Sequence, residues 1–503
     1  MEKGKNKIDE KGQGTTRPPI IVVMGHIDHG KTSILQHYRR TQMIEKESGG
    51  ITQHIGAYEV EHNGKRLTFI DTPGHEAFPN IRLRGSMVAD VAVLVVAAEE
   101  GVKPQTQEAI RVIREQNLPF VVALNKMDKP EANPERVKQE LAKAEVLVEG
   151  YGGKIPAVAV SAKTGQNMEE LLETLLLVAE LENLEADATK PAEGVVVEAH
   201  MDPRRGASAT LIVRDGTLSK GDLAAIGRNM EVVKILEDFR GKTIESAGPS
   251  AVVLAAGLAQ VPAAGDSFRA FASRVQAQEF VKTLPPASAA TPALTADAKP
   301  IFNIILKADV FGSREALEAA LQKLESPSLG IRILKSGIGD INESDVKLAL
   351  ATRLVTIVGF RVKADAAARE LARPSNVRIV TGEVIYDLLD AVREAINQSI
   401  PPEVKRTDLG TVKILKLFNK ENGRQILGGR VEEGVVRKGE KAEIIRNRQP
   451  IGGGVISELQ RERQAAEEVG QGAECGMLLD SKTPVEVGDT LVIFQEEFIR
   501  HGL

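Results

Sequence analysis

Short β-branched runs at residues 20–24, 66–70, 91–96, 120–124 and 157–160 each end on polar or Gly-rich residues, and helical stretches follow most of them. Continuous apolar runs fit strands buried on both faces, and their alternation with helices predicts a parallel α/β sheet within residues 20–186. From 190 to 284 the rhythm changes. Runs at 194–199, 209–213, 223–226 and 230–236 follow closely on one another with Gly turns between, which predicts a small antiparallel barrel. Residues 285–300, rich in Ala, Pro, Ser and Thr, read as a linker. The α/β alternation returns over 301–400, with strands at 301–307, 354–360 and 377–380. A helix over 314–324 carries the stripe Leu317, Ala320, Leu321 and Leu324. A second helix sets Val384, Ile385, Leu388, Leu389, Val392 and Ile396 on one face, a possible strut, until Pro401 and Pro402 stop it. Short strands resume over 403–503.

An internal repeat links the two strand-rich segments. Residues 215–222 read DGTLSKGD and 433–440 read EGVVRKGE. A Gly-Asp pair closes each unit, Gly265-Asp266 and Gly488-Asp489, at 49 and 54 residues beyond Gly216 and Gly434. Matched turns with matched closing pairs predict two similar barrels flanking an α/β domain.

Composition narrows the picture. Aromatics are 3% of the 503 residues and Trp is absent, so the cores are aliphatic. Sixty-five basic and 70 acidic residues leave −5, which excludes a chain coated in nucleic-acid-binding charge but not local basic patches. One cysteine, Cys475, excludes internal disulfides and a cysteine zinc cluster, and fits a reducing cytoplasm. Apolar runs such as 91–98 fall short of the ~18–20 residues that span a bilayer, so no membrane partner is expected. Residues 1–19 carry charge where a signal peptide needs an apolar core and read as a flexible arm.

The chemistry gathers behind the first strands. Gly25-His26-Ile27-Asp28-His29-Gly30-Lys31-Thr32 matches GxxxxGK(S/T) and follows the run 20–24, the context a P-loop requires. Its glycines let backbone N–H groups cradle phosphate oxygens, with Lys31 reaching the β- and γ-phosphates and Thr32 ligating Mg²⁺. Asp71-Thr72-Pro73-Gly74 follows the next strand run: Asp71 suits the Mg²⁺ shell through a water, and Gly74 suits a γ-phosphate with its backbone N–H. Asn125-Lys126-Met127-Asp128 follows 120–124. The Asp128 carboxylate can accept from guanine N1–H and its exocyclic amine, a donor pair adenine lacks, and a site built for donors rejects analogues without them. Asn125 can bridge base and P-loop, the Lys126 stem can pack on the ring, and Ser161-Ala162-Lys163 can close over guanine O6. The nucleotide expected is GTP with Mg²⁺.

These motifs in this order resemble the translational GTPases. With GGITQHIGAY at 49–58, GHIDHGKTS, DTPGHEAF and two barrels about an α/β domain, residues 20–497 are similar to the bacterial initiation-factor-two family. The resemblance implies a P-loop GTPase domain at 20–186, a β-barrel at 190–284, an α/β/α sandwich at 301–400 ending in a connecting helix, and a C-terminal barrel at 403–503 holding initiator tRNA. It places Thr52 in the first switch, closing on Mg²⁺ and the γ-phosphate. His75, directly after DTPG, resembles the histidine of ribosome-triggered GTPases and is expected to position the attacking water. Family members usually carry a long N-terminal extension, where only a short arm precedes the GTPase domain here. The implied partners are formylmethionyl initiator tRNA, the small and large ribosomal subunits and other initiation factors, with the protein a monomer.

Residues 405–503 hold 16 basic and 16 acidic residues, so composition alone does not mark them as RNA-binding. By resemblance, Glu474-Cys475-Gly476 lies where the formylmethionyl end binds, and Arg461 and Arg463 are candidates for backbone phosphate, against the alternatives of a core cysteine and a solvated hairpin. Formylation removes an ammonium whose burial would be costly, so a small apolar pocket selects the neutral amide. Where many relatives have a second cysteine, this chain reads Leu427-Gly428-Gly429-Arg430. An elongation-type GTPase and a non-hydrolysing nucleotide-gated scaffold are the rival functions. GGITQHIGAY and the central α/β domain oppose the first, and the intact P-loop, DTPG and His75 oppose the second.

Overall fold

The structure is a computed structural model that describes residues 15–38, 56–74, 77–284, 301–325, 329–375, 377–399, 403–421 and 424–499. The chain divides into two compact units, Met1–Ala395 and Ile396–Leu503. Thr52, His75 and the linker at 285–300 lie outside the described residues.

The first sheet of unit one is built from β1 (Ile20–Gly25), β2 (Gly56–His62), β3 (Lys65–Asp71), β4 (Val91–Ala97), β5 (Phe120–Asn125) and β6 (Ala157–Ala159). Their order is β2-β3-β1-β4-β5-β6, all parallel except β2, which pairs antiparallel with β3 at the edge. Every residue of β1 and β4 is buried, as continuous apolar runs require. Helices α1 (Lys31–Tyr38), α2 (Pro79–Val88), α3 (Pro104–Glu115), α4 (Pro134–Lys143) and α5 (Met168–Leu181) cover the sheet. Three of them open on proline, whose fixed φ and missing N–H suit a first helical position. The Asn133 side chain caps α4 by accepting from the Arg136 N–H at 3.0 Å. Tyr58, Phe69, Ile21, Val93 and Leu172 join one core beneath α1 and α5.

The flexible arm expected through residue 19 is corrected at its end. Thr15 and Thr16 pair with Ala186 and Glu185, and Arg17 grips Asp90 through two bonds at 2.6 and 2.7 Å. Arg17 also donates to Ser250 Oγ, whose hydroxyl donates to the Pro18 carbonyl at 2.6 Å, so this segment fastens the first sheet to the second.

The second sheet has seven antiparallel strands in the order Asn229–Val232, Leu223–Ile226, Ser267–Phe271, Glu193–Asp202, Gly206–Asp215, Val252–Leu258, Ile235–Asp238. The run 230–236, expected as one strand, is two. They stand at opposite edges of the sheet and are joined by Val233 and Lys234, so the chain itself closes the sheet on its Ala-, Leu- and Val-filled core. A single straight strand could not lie on both edges.

The third body is a four-stranded parallel sheet ordered Gly330–Ile338, Ile301–Ala308, Val355–Phe360, Arg378–Gly382. Its helices are Phe311–Gln322, Glu343–Leu350, Ala366–Ala372 and Ile385–Ser399. Asn342 caps the second of these in a reciprocal box with Asp345. The helix Phe311–Gln322 meets the first body: Arg84 of α2 is ion-paired with Glu315 and lies over the Phe311 ring. The Gly312 N–H donates to Glu198 of the second sheet at 3.1 Å.

In unit two, Glu403–Glu421, Thr490–Ile499, Lys441–Arg446, Gln449–Arg461, Glu474–Asp480 and Arg424–Arg437 pair in succession, and the last pairs back to the first, closing a barrel. The repeat seen in the sequence has a conformational counterpart. Gly216 and Gly434 take φ of 77° and 68°, and a Cβ on either would strike a neighbouring backbone carbonyl. Asp266 and Asp489 each accept from the N–H three residues before them.

Candidate functional site

The loops that leave β1, β3, β4 and β5 converge at the carboxyl ends of the parallel strands, where open α/β sheets bind ligands. A cavity of about 520 Å³ lined by Pro18, Lys65, Leu176 and Asn183 lies at the opposite, amino end and contains none of the sequence-predicted residues.

Lys31, the first residue of α1, folds back over the loop 25–30 and donates from Nζ to the Gly25 and His26 carbonyls at 3.0 and 2.6 Å. Burial pushes its ammonium down to about 8, against the pull of Asp71. A buried cation here favours an anion that restores the lost solvation. Gly74 approaches the same ammonium so closely that a Cβ would collide with Nζ and come within 3.1 Å of the Gly25 carbonyl and the Ile27 N–H. Glycine here lets the backbone after Asp71 approach the P-loop without displacing the Lys31 ammonium. Thr72 pins that segment by donating to the Val23 carbonyl at 2.8 Å, and Arg82 of α2 holds the Pro73 carbonyl at 3.3 Å while bonding Glu108. The Thr32 hydroxyl stands 3.4 Å from Asp71 Oδ2. A hydroxyl and a carboxylate converging beside a phosphate cradle are hard oxygen donors that fit Mg²⁺.

Asn125, at the end of β5 and almost wholly buried, joins two loops. Its Nδ2 donates to the His29 carbonyl at 2.9 Å and its Oδ1 accepts from the Ala162 N–H at 3.1 Å. A side chain at Gly30 would occupy the place of that Nδ2. Asp128 accepts from the Ser161 hydroxyl at 2.7 Å, and Lys163 lies 4.0 Å from its other oxygen. The Ser161 bond holds the Asp128 carboxyl below its usual range, so it remains an acceptor of N–H donors at neutral pH. The Met127 N–H donates to the Val160 carbonyl at 3.2 Å, which locks the two base-side loops together.

Residues outside the motifs steady these loops. Lys126 takes a left-handed φ of 66° and donates to Glu99 and Glu100 at 2.6 and 3.2 Å. Partial burial opposes its charge, but these carboxylates outweigh burial and raise its ammonium. Gln105 accepts from the Ile27 N–H at 3.0 Å. Asp28 has φ of 60°, a conformation the motif does not announce. Glu99, Glu100, Gln105 and Arg82 belong to no motif, and only the pairing of β1 with β4 and the packing of α2 and α3 bring them to the site.

The tRNA candidates lie in unit two. Cys475 pairs with Gly429 on the adjacent strand and is 5% exposed, in the core cluster with Val412, Ile414, Met477 and Leu491. Burial raises its thiol to about 11. The thiol is therefore packed among aliphatic side chains of the barrel core. Arg461 and Arg463 are exposed at the hairpin 461–464, with Arg461 3.8 Å from Glu462.

Three family matches run along the chain: Elongation factor Tu GTP binding domain over residues 16–180, Elongation factor G domain 2 over 191–271 and Translation-initiation factor 2 over 289–393. Together with the strand order they show the fold of the translational GTPases. Translation initiation factor IF-2 of Parvibaculum lavamentivorans is 43% identical over 99% of this chain and 58% of its own length, and that of Bartonella bacilliformis 41% over 100% and 61%. The chain belongs to the family of translation initiation factor IF-2. It spans between about half and three fifths of the length of the curated relatives it matches. A crystal structure of GDP-bound aIF5B from Aeropyrum pernix aligns with 95% of this chain and 92% of its own at 29% identity and a TM-score of 0.47.

Proposed function

We propose that this chain is a GTPase of translation initiation, which promotes binding of formylmethionyl initiator tRNA to the small ribosomal subunit and joining of the subunits in the cytoplasm. The observation that carries the reading is Asn125 tying the P-loop to the Ser161 loop while Ser161 holds Asp128 as a carboxylate. That arrangement offers a guanine ring an acceptor for its N1–H and amine beside a phosphate cradle.

In this reading Lys31, the backbone of 25–30 and the Gly74 N–H receive the phosphates. Thr32 and Thr52 directly, and Asp71 through a water, would hold Mg²⁺, which would supply positive charge against that of the phosphates. His75 orients the attacking water when the ribosome docks. Preorganised donors around the phosphates stabilise the charge that develops in transfer. Loss of the γ-phosphate releases the segments around Thr52 and Gly74. No helix among the described residues is long and apolar enough to cross a membrane.

The test is GTP turnover by the full chain with and without ribosomes, followed by subunit joining with formylated and unformylated initiator tRNA. Turnover stimulated by ribosomes and joining favoured by the formylated form are expected. Turnover indifferent to ribosomes, or equal preference for ATP, would overturn the reading.

A further inference from the structure

The side chains of His26 and His29 turn toward one another, with ring centroids 4.9 Å apart at 68°. Glu100, in the loop after β4, completes a triangle: one ring nitrogen from each histidine and a Glu100 carboxylate oxygen lie within 4.8 Å of one another. His29 is wholly buried. Its Nδ1 faces the Val95 carbonyl at 3.4 Å, and its Nε2 is buried with no hydrogen-bond partner among the described residues. The Nδ1 of His26 is buried in the same unpartnered condition. A buried polar atom left without a partner keeps its full desolvation cost, so two of them at one place call for a ligand. The Val95 contact also selects the tautomer: with the proton on Nδ1, the lone pair of His29 sits on Nε2. A metal-ligating histidine is oriented in this way, its second nitrogen donating to a backbone carbonyl. Burial lowers the basicity of both rings, that of His29 to about 4, which leaves them neutral with lone pairs available.

We propose that His26, His29 and Glu100 bind one transition-metal ion of the zinc class, with water in the remaining position. Two imidazoles and a carboxylate suit such an ion, and nitrogen donors discriminate against Mg²⁺. Tetrahedral ligands at about 2.0–2.1 Å from an ion stand about 3.3 Å apart, so the side chains must close by roughly an ångström or more. Exposed Glu100 supplies most of that movement. It leaves Lys126 at 3.2 Å and Lys103 at 3.8 Å to do so, while Glu99 keeps its 2.6 Å bond to Lys126. The ion would tie the P-loop to the loop after β4, an attachment independent of whether the proposed GTPase reading holds.

The test is titration of the nucleotide-free full chain with Co²⁺ in excess Mg²⁺, read by the visible absorption of low-symmetry Co²⁺ and by displacement with Zn²⁺. One equivalent is expected to bind. Glu100→Gln and, separately, His26→Gln should each weaken it about tenfold or more, with circular dichroism and thermal unfolding matched to the parent. No Co²⁺ absorption of this type at micromolar concentrations, or parental affinity in either folded variant, would overturn the site.

Discussion

Ser161 donates its hydroxyl proton to the carboxylate of Asp128 at 2.7 Å, while its own oxygen accepts from the Thr164 N–H at 3.2 Å. The Asp128 carboxyl is thus held toward its ionised form by a buried neighbour whose own orientation is fixed. Removing the hydroxyl by Ser161→Ala should raise the pH at which Asp128 titrates. The sign follows from the lowered carboxyl: its stabilising bond is present above the ordinary value of 3.8 and is lost as pH falls through the depressed folded value. Carboxyl-carbon NMR across the acid range measures this. An unmoved Asp128 titration would show that the bond does not hold the proton off.

Replacing Asp128 by Asn substitutes a donor for one acceptor oxygen. GTP affinity is expected to fall by about a hundredfold or more, with a shift toward xanthosine triphosphate, because a mismatched donor leaves both partners unpaired. Competition binding with the two nucleotides decides it, and retained tight GTP binding would remove Asp128 from the base site.

Lys31 and His75 should separate binding from turnover. Lys31 touches the P-loop carbonyls and stands against Gly74, so Lys31→Ala should lose about a hundredfold or more in nucleotide affinity as charge-assisted bonds vanish. His75→Ala should bind GTP as the parent does and fail to hydrolyse it on ribosomes, since its contribution lies near the transition state. Equal loss of affinity in the two variants would contradict this division.

Arg84 links α2 to the helix Phe311–Gln322 through Glu315 and the Phe311 ring. Its side chain is 13% exposed and that of Glu315 is 29%, so the pair is shielded from full solvent screening. A double-mutant cycle with Arg84→Ala and Glu315→Gln should return a coupling of about 1–2 kcal/mol in thermal or denaturant unfolding. Additive effects would mean that the packing of α2 on Phe311, rather than the ion pair, joins the two bodies.

Cys475 should behave as a core residue. Cys475→Leu is expected to cost about 1–3 kcal/mol of barrel stability by overpacking. Thiol reagents at pH 8 should label the native chain slowly and the unfolded chain fast, because thiolate is scarce below about 11 and the sulfur is buried. Rapid labelling of native protein would place the thiol at the surface instead.

The sequence by itself determined the kind of elements and the loops that carry the chemistry. Unbroken apolar runs followed by Gly25-to-Thr32, Asp71-to-Gly74 and Asn125-to-Asp128 encode strand ends locally, since side-chain period, turn residues and motif spacing all act within a few residues. What only the tertiary structure decided depends on pairs far apart in the chain. Asn125 reaches His29 across 96 residues, and Thr68 reaches the Ser250 carbonyl across 182. The run 230–236 has strand character throughout, yet it breaks at Val233 because two sheet edges need one residue run between them. Cys475 carries no local mark of its burial until the barrel closes around it. Glu100 is an ordinary acid in an ordinary loop until the pairing of β4 with β1 sets it beside His26 and His29. Local pattern fixes where a side chain leaves the backbone; which other side chains it meets is set by the packing of whole sheets, whose cores are aliphatic and carry no local mark of their neighbours.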